Sequence, residues 1–282
     1  MKKLGKHLLL AALLPAAALT VFPVWAVVTG AFSSQWELEA NLTPIFGPSQ
    51  AMAGWTALPQ APTLQSLVEV LLDSPGFFTM FWNSVAISLG ILAGQLITAA
   101  PAAWALAWFP LPGKRTIKTL YIVLMLMPFQ VLMFPQYLVL RQLGMLDTLG
   151  AVILPAAFST FPVFILSRCF RAIPREVVEA ARLDGAGEVR IFCKIGLPLG
   201  APGILSVAIL TFLDAWNMIE QPMTYLKTKA LWPLSLFLPE IGLKDMGMGF
   251  GASLLMLIPA LLLFLCCQDY LEQGIALSGG KD

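Results

Sequence analysis

Five times along this chain about twenty residues pass without a charge, and a sixth such run carries a single carboxylate. An α-helix of that length crosses the ~30 Å hydrocarbon core of a bilayer. The runs cover residues 8–32, 77–100, 119–140, 148–167, 195–219 (with Asp214 near its end) and 246–268. Lipid offers no hydrogen bonds, so a chain crosses it either as helices or as a closed barrel. Barrel strands alternate apolar and polar residues over ~10 positions, whereas these runs are continuous. They predict an all-α membrane protein with six transmembrane helices. Composition agrees, since 58% of the 282 residues are hydrophobic and 12% are charged, about half the charge of a soluble domain.

The first run follows Lys2, Lys3 and Lys6, as a signal peptide's would. It is about twice the length of a signal's apolar stretch, and no small-residue cleavage pattern follows it. It reads as a retained span. With the N-terminus inside, the inner segments hold Lys2, Lys3, Lys6, Lys114, Arg115, Lys118, Arg168, Arg171, Arg175, Arg182, Arg190, Lys194 and Lys281. The outer segments hold Arg141, Lys227, Lys229 and Lys244, and residues 33–76 hold no basic residue. Thirteen against four is the bias of cytoplasmic loops. Both termini are therefore expected in the cytoplasm, with 33–76 and 220–250 as outer loops, and 168–198 and the tail 271–282 inside.

Prolines 15, 23, 101, 128, 135, 155, 162 and 259 fall in or beside the runs. Each removes a backbone donor and kinks its helix, and the freed carbonyls need neighbouring helices or a cavity. Packing geometry explains them, and so does a bundle that bends to open a path.

Several functions are excluded by what the residues lack. The chain ends in Leu-Ser-Gly-Gly-Lys-Asp, residues 277–282, which opens like the signature loop of ABC-type ATPases. No helix follows to present its N-terminus to a phosphate. The nearest P-loop candidate, Gly113-Lys114-Arg115-Thr116, has Trp108 in place of the first glycine and Arg115 in place of the hydroxyl. Four cysteines (169, 193, 266 and 267), no CxxC and one histidine, His7, make neither a metal site nor a disulfide framework. No catalytic residues and no metal ligands are assigned. Near-neutral net charge gives no attraction to nucleic acid.

Six of the thirteen inner charges lie in residues 168–198. Pro174 suits a helix start and Gly185 a helix end, which brackets about three helical turns. Val177, Val178 and Ala181 share one face, while Arg175, Glu179 and Arg182 share another. Gly187 can turn the chain into a second short helix over 188–195, before Pro198 opens the fifth run. An amphipathic helix held at the membrane surface by two spans is built to dock on a partner, or else lies on lipid.

Glu179-Ala180-Ala181, then Gly185 after three residues, and Ile195-x-Leu197-Pro198 after nine more, resembles the EAA loop of binding-protein-dependent ABC importers. Other stretches resemble the sugar permeases of that family, of the maltose-transporter second-subunit type: FWNSVAIS (81–88), FPLPGKRT (109–116), FLDAWNMIEQPMTYL (212–226), ASLLMLIPALLLF (252–264) and the tail 273–282. The resemblance implies a single permease domain over 1–282 with the type I ABC importer permease fold, in a bacterial or archaeal plasma (inner) membrane. It also implies a second, non-identical permease subunit, two cytoplasmic ATPases that bind ATP and Mg, and an extracytoplasmic solute-binding protein. This chain would itself hold no cofactor. Glu179, Ala180, Ala181, Asp184, Gly185, Ile195, Leu197 and Pro198 would couple it to the ATPases, whose closure would rock the bundles from inward- to outward-open.

The outer loops carry aromatic, proline and acidic residues suited to a binding-protein partner, among them Trp36, Glu37, Trp55, Pro59, Pro62 and Glu69. Within the fifth run Asp214 and Asn217 lie one turn apart with Trp216 beside them. An intramembrane carboxylate is a functional candidate by default, and these three residues are the candidates for a substrate pathway. An intramembrane enzyme would need a nucleophile–base or metal constellation, which the chain lacks. A proton-coupled transporter would show charges in several spans or an internal repeat. Asp214 stands alone, so a secondary transporter without an ATPase partner is the weaker alternative, as is a purely structural membrane protein.

Overall fold

The computed structural model describes residues 2–46, 52, 54, 56–238 and 245–278, and every regular element among them is helical. In chain order these are α1 (Lys2–Phe32), α2 (Gln35–Phe46) and α3 (Gln65–Val68), which runs into a π-helical turn, Glu69–Asp73. Next come α4 (Pro75–Trp108), α5 (Lys114–Leu126), α6 (Phe129–Gln142), α7 (Leu149–Ala157) and α8 (Thr160–Arg171). They are followed by α9 (Arg175–Leu183), α10 (Glu188–Ile191), a π-helical turn Phe192–Gly196, α11 (Leu197–Leu199), α12 (Ala201–Trp216), α13 (Glu220–Tyr225) and α14 (Met246–Ser278). The expected contributions of Trp55, Lys244, Gly279 and Lys281 lie outside the described residues.

Among the described residues four segments are long and apolar enough to cross a membrane: Leu13–Phe32, Pro75–Trp108, Leu149–Arg171 and Met246–Gln268. Two bent pairs bring the number to six if each is one span: Lys114–Leu126 with Phe129–Gln142, bent by 98°, and Glu188–Leu199 with Ala201–Trp216, bent by 73°. The bends fall where the covalent chemistry puts them. Met127 precedes Pro128 and is extended, with ψ at 124°, because the proline ring clashes with a helical predecessor. At the second bend Pro198 and Pro202 flank Gly200, and neither proline has an N–H to continue the ladder. A side chain is also sterically refused at Gly200: a Cβ there would lie 2.5 Å from the Phe170 ring.

The chain packs as two compact units, Met1–Phe78 with Phe237–Pro259, and Thr79–Leu236 with Ala260–Asp282. In the first, Glu37 is 2% exposed. Its carboxylate accepts from the Thr56 hydroxyl at 3.0 Å and the Gln60 amide at 3.1 Å, which ties down the segment after α2. Trp25 Nε1 donates to Ala57 O at 3.0 Å, fastening the same segment to α1. Gly30 lets the Phe250 ring approach, since a Cβ would sit 2.6 Å from it.

Among the described residues of the second unit there are two apolar centres. One gathers Trp104, Leu166, Phe170, Val178, Ile191 and Val207 from α4, α8, α9, α10 and α12. The other gathers Ile87, Ile91, Leu140, Val152, Tyr225 and Leu226. Asn83 donates to Ala230 O at 2.7 Å and Trp232 O at 3.1 Å, and Ser84 Oγ accepts from the Leu234 amide at 2.7 Å. The Asn-Ser pair at 83–84 thus holds the segment after α13 against α4.

Candidate functional site

The segment 168–198 begins as α8 leaves its span. Pro174, extended with ψ at 135°, caps α9, and Gly185 turns the chain with φ at +79° just past the C-cap Asp184. A residue with a Cβ is disfavoured in that left-handed conformation. Gly187 caps α10, and the helical path then runs on through Ile195, Leu197 and Pro198 to Leu199 instead of stopping before Pro198. The break of this bent pair accordingly falls at Gly200, between Leu199 and Ala201.

The faces of α9 divide sharply. Val178 is fully buried in the centre formed by Trp104, Phe170 and Ile191, and Ala181 packs against it half-buried. Glu179, Ala180, Asp184 and Gly185 are exposed. Val177 is 40% exposed, Leu183 88%, and Val189 on α10 77%. A leucine so exposed on a helix whose opposite face is buried is an apolar surface without a cover. Leu183 and Val189 escaped sequence reasoning because helical spacing locates a face but not which face the bundle takes. Arg182 pairs with Glu188, Nε to Oε1 at 2.7 Å, rather than with Glu179. The Glu188 hydrogen bond holds the Arg182 guanidinium above its ordinary range. Half-exposed, the pair is worth ~0–1 kcal/mol.

The second candidate lies within the helices. Ordinary helix is interrupted after Leu126, at Phe158–Ser159 and after Trp216. All three interruptions border a cavity of about 440 Å3 whose wall includes Gln95, Met127, Ser159, Thr211, Asp214 and Tyr225. Irregular backbone at membrane depth is tolerated where it lines a cavity or finds side-chain partners, and here it does both. Gln95 Nε2 donates to Ala156 O at 2.9 Å and Thr98 Oγ1 to Ala157 O at 3.0 Å, capturing carbonyls at the break between α7 and α8. Gln95 Oε1 accepts from Thr211 Oγ1 at 2.6 Å. This buried glutamine therefore joins α4, α7 and α12. Periodicity could not single it out, because its importance comes from a break in another helix.

Of the three pathway candidates, the structure brings Asp214 to the cavity wall, exposed and without a hydrogen-bond partner among the described residues. Trp216 is 2% exposed, stacked on Phe212 at 5.5 Å and edge-on to Phe81 at 5.8 Å. Its geometry is that of core packing. Asn217 caps α12 and donates back to Leu213 O at 2.9 Å. Among the described residues no group of three or more His, Cys, Asp or Glu side chains is disposed to hold a metal, and the four cysteines are unbridged.

Comparison with known proteins gives this geometry a context. Residues 86–277 match the family described as binding-protein-dependent transport system inner membrane component. The arabinooligosaccharides transport system permease protein AraQ of Halalkalibacterium halodurans is 30% identical over 270 residues, covering 94% of this chain and 92% of that one. The protein LplC of Bacillus subtilis is 30% identical over 262 residues, covering 93% and 80%. The sn-glycerol-3-phosphate transport system permease protein UgpE of Escherichia coli is 26% identical over 268 residues, covering 92% and 91%. Among solved structures, a bacterial ABC transporter involved in the import of the acidic polysaccharide alginate contains a chain with TM-score 0.80. It is 20% identical and covers 95% of this chain and 96% of that one. That match places this chain in the ABC importer permease fold.

Proposed function

Because the chain belongs to the binding-protein-dependent transport system inner membrane components, and is a permease of an ABC importer, we propose that it moves a sugar delivered by an extracytoplasmic solute-binding protein. It works beside a second, non-identical permease and two ATPases, which bind the ATP and Mg. It is read as a type I permease with six spans, each bent pair counting as one, and both termini in the cytoplasm. The outer segments 33–76 and 220–250 receive the binding protein. Segment 168–198 faces the ATPases, and the tail 271–282 lies on the same side.

The uncovered apolar stripe of α9 and α10, opposite a face buried in the bundle, carries this reading. Leu183, Val177 and Ala180, with Glu179 and Asp184 beside them, form the docking surface. Ala181 contributes the close approach to the bundle. Gly185 sets the turn, while Ile195, Leu197 and Pro198 transmit motion to α12 across the 73° bend. ATP-driven closure of the ATPases draws this loop and its counterpart together and rocks the bundles.

The cavity at Asp214 forms part of the sugar's path. Its described wall carries that carboxylate with amide and hydroxyl groups and no lysine or arginine. This favours a neutral, hydroxyl-rich solute over a phosphate ester, since a carboxylate repels anions most strongly in a low-dielectric setting.

In energised membrane vesicles, uptake should stop when ATP is depleted and survive collapse of the proton gradient, and ATPase subunits should co-purify. Uptake that follows the proton gradient instead would make the chain a secondary transporter. Orientation is tested separately: with the four native free cysteines replaced by serine, Gly187→Cys should react with an impermeant thiol reagent from the cytoplasmic side only, and Gly54→Cys from the opposite side only.

A further inference from the structure

Where α4 ends, α5 begins and α8 turns into α9, four cations surround one hollow. Lys114, Arg171, Arg175 and Arg182 line about 410 Å3 of space together with Trp108 and the carboxylate of Glu179. Lys114 is half-buried, and its Nζ donates to Ala107 O at 3.3 Å and Phe109 O at 3.1 Å, contacts that leave its charge uncompensated. Arg182 is committed to Glu188. Among the described residues no carboxylate is paired with Arg171 or Arg175, and Arg171 lies close enough to Lys114 and Lys118 to repel both. Glu179 offsets one of the three remaining charges. Like charges held around a concavity raise its free energy until an anion enters.

The level of the hollow says where that anion comes from. Two candidate spans end at its rim, one at Trp108 and the other at Arg171. It therefore opens where apolar helices leave the hydrocarbon, the depth at which tryptophan is enriched and lipid headgroups lie. Trp108 Nε1 donates to Phe170 O at 3.2 Å, which fixes the indole as a wall.

We propose that this hollow binds the phosphodiester headgroup of an anionic membrane phospholipid, with Arg171 and Arg175 gripping the phosphate oxygens and Lys114 beneath them. Guanidinium forks suit phosphate oxygens in pairs, and basic hollows between helices on the cytoplasmic side are where anionic headgroups collect. The leaflet rests on the orientation proposed above. Arg171 ends α8 and Arg175 begins α9, so a bound headgroup would clamp the docking helix to a membrane-spanning one. The lipid would then set how firmly α9 follows the bundle.

The assembled importer, purified with its partner subunits, is placed in nanodiscs of phosphatidylcholine with and without phosphatidylglycerol, and retained lipid is counted by native mass spectrometry. Each of Arg171→Gln and Arg175→Gln should lower phosphatidylglycerol retention about fivefold, and the double variant roughly 25-fold. Retained phosphatidylcholine should not change, and Arg190→Gln, outside the hollow, should behave as wild type. Wild-type retention in the double variant overturns the proposal. Displacement of the lipid by inorganic phosphate would make the hollow a free-phosphate site and refute the lipid assignment. Loss of ATPase subunits with lipid retention intact would give the hollow to a protein partner. Gly187→Cys labelling from the wrong side would sink the orientation while leaving a positive lipid count standing, so the two failures are told apart.

Discussion

Truncating Leu183 to alanine separates docking from packing. The side chain is 88% exposed, so its loss costs the isolated permease almost nothing. If an ATPase covers it, three buried carbons disappear from the interface, at ~0.8 kcal/mol each. The sum of about 2.4 kcal/mol corresponds to roughly 50-fold weaker association. Val178→Ala is the counterpart. It removes two carbons from a fully buried position beneath the same helix and, with the cavity left behind, should cost about 2 kcal/mol of packing. The assay titrates purified ATPase against each permease complex in nanodiscs and follows thermal unfolding alongside. Leu183→Ala should lose affinity at unchanged thermal midpoint, whereas Val178→Ala should lower the midpoint. Wild-type ATPase affinity in Leu183→Ala would refute the docking face, whatever happened at Val178.

Three further outcomes follow from local geometry. Gly185→Val forces a β-branched residue to φ near +79°, a strain of about 1–3 kcal/mol; ATPase retention and uptake should fall together while pairing with the second permease persists. Gly196→Ala sets a Cβ 2.7 Å from the buried Trp104 ring, and an overpacked core of this kind should lose about 1–3 kcal/mol, read as a lower thermal midpoint. Asp147 accepts from the amides of Lys227 and Thr228 at 2.8 Å each and from the Thr228 hydroxyl at 2.6 Å. The hydroxyl, then the amides, hold its carboxyl below the ordinary range. A depressed folded pKa stabilises above the unfolded value of ~3.9 and is lost as pH falls through the folded one. Hydrogen-exchange protection of residues 227 and 228, corrected for intrinsic rates, should therefore hold from neutrality down to about pH 4 and fade only below. Asp147→Asn should weaken that protection wherever wild-type Asp147 is ionised, from neutrality down to about pH 4, and the two should converge at lower pH; a wild-type loss near neutrality would contradict the assignment.

Sequence alone was enough for the class of molecule. Apolar runs of bilayer length leave a chain no choice but to place helices in lipid, since backbone groups there must bond within their own segment. Pro174 and Gly185 bracket α9 for equally local reasons, a ring that sets φ and a residue free to take positive φ. The bends were half legible: Pro128 marks its place, but a 98° turn depends on what receives the freed carbonyls. What only the tertiary structure decided was which face of each helix is taken. Val177, Val178 and Ala181 look alike on a helical wheel, yet Val178 is sealed beneath Trp104 and Phe170 while Leu183 stands uncovered. Asp214 and Trp216 are neighbours in sequence, but one faces a cavity and the other fills a core. Helical periodicity relates residues to one another around an axis. The direction that axis presents to the bundle is set by contacts with helices sixty or more residues away, as when Gln95 reaches Ala156.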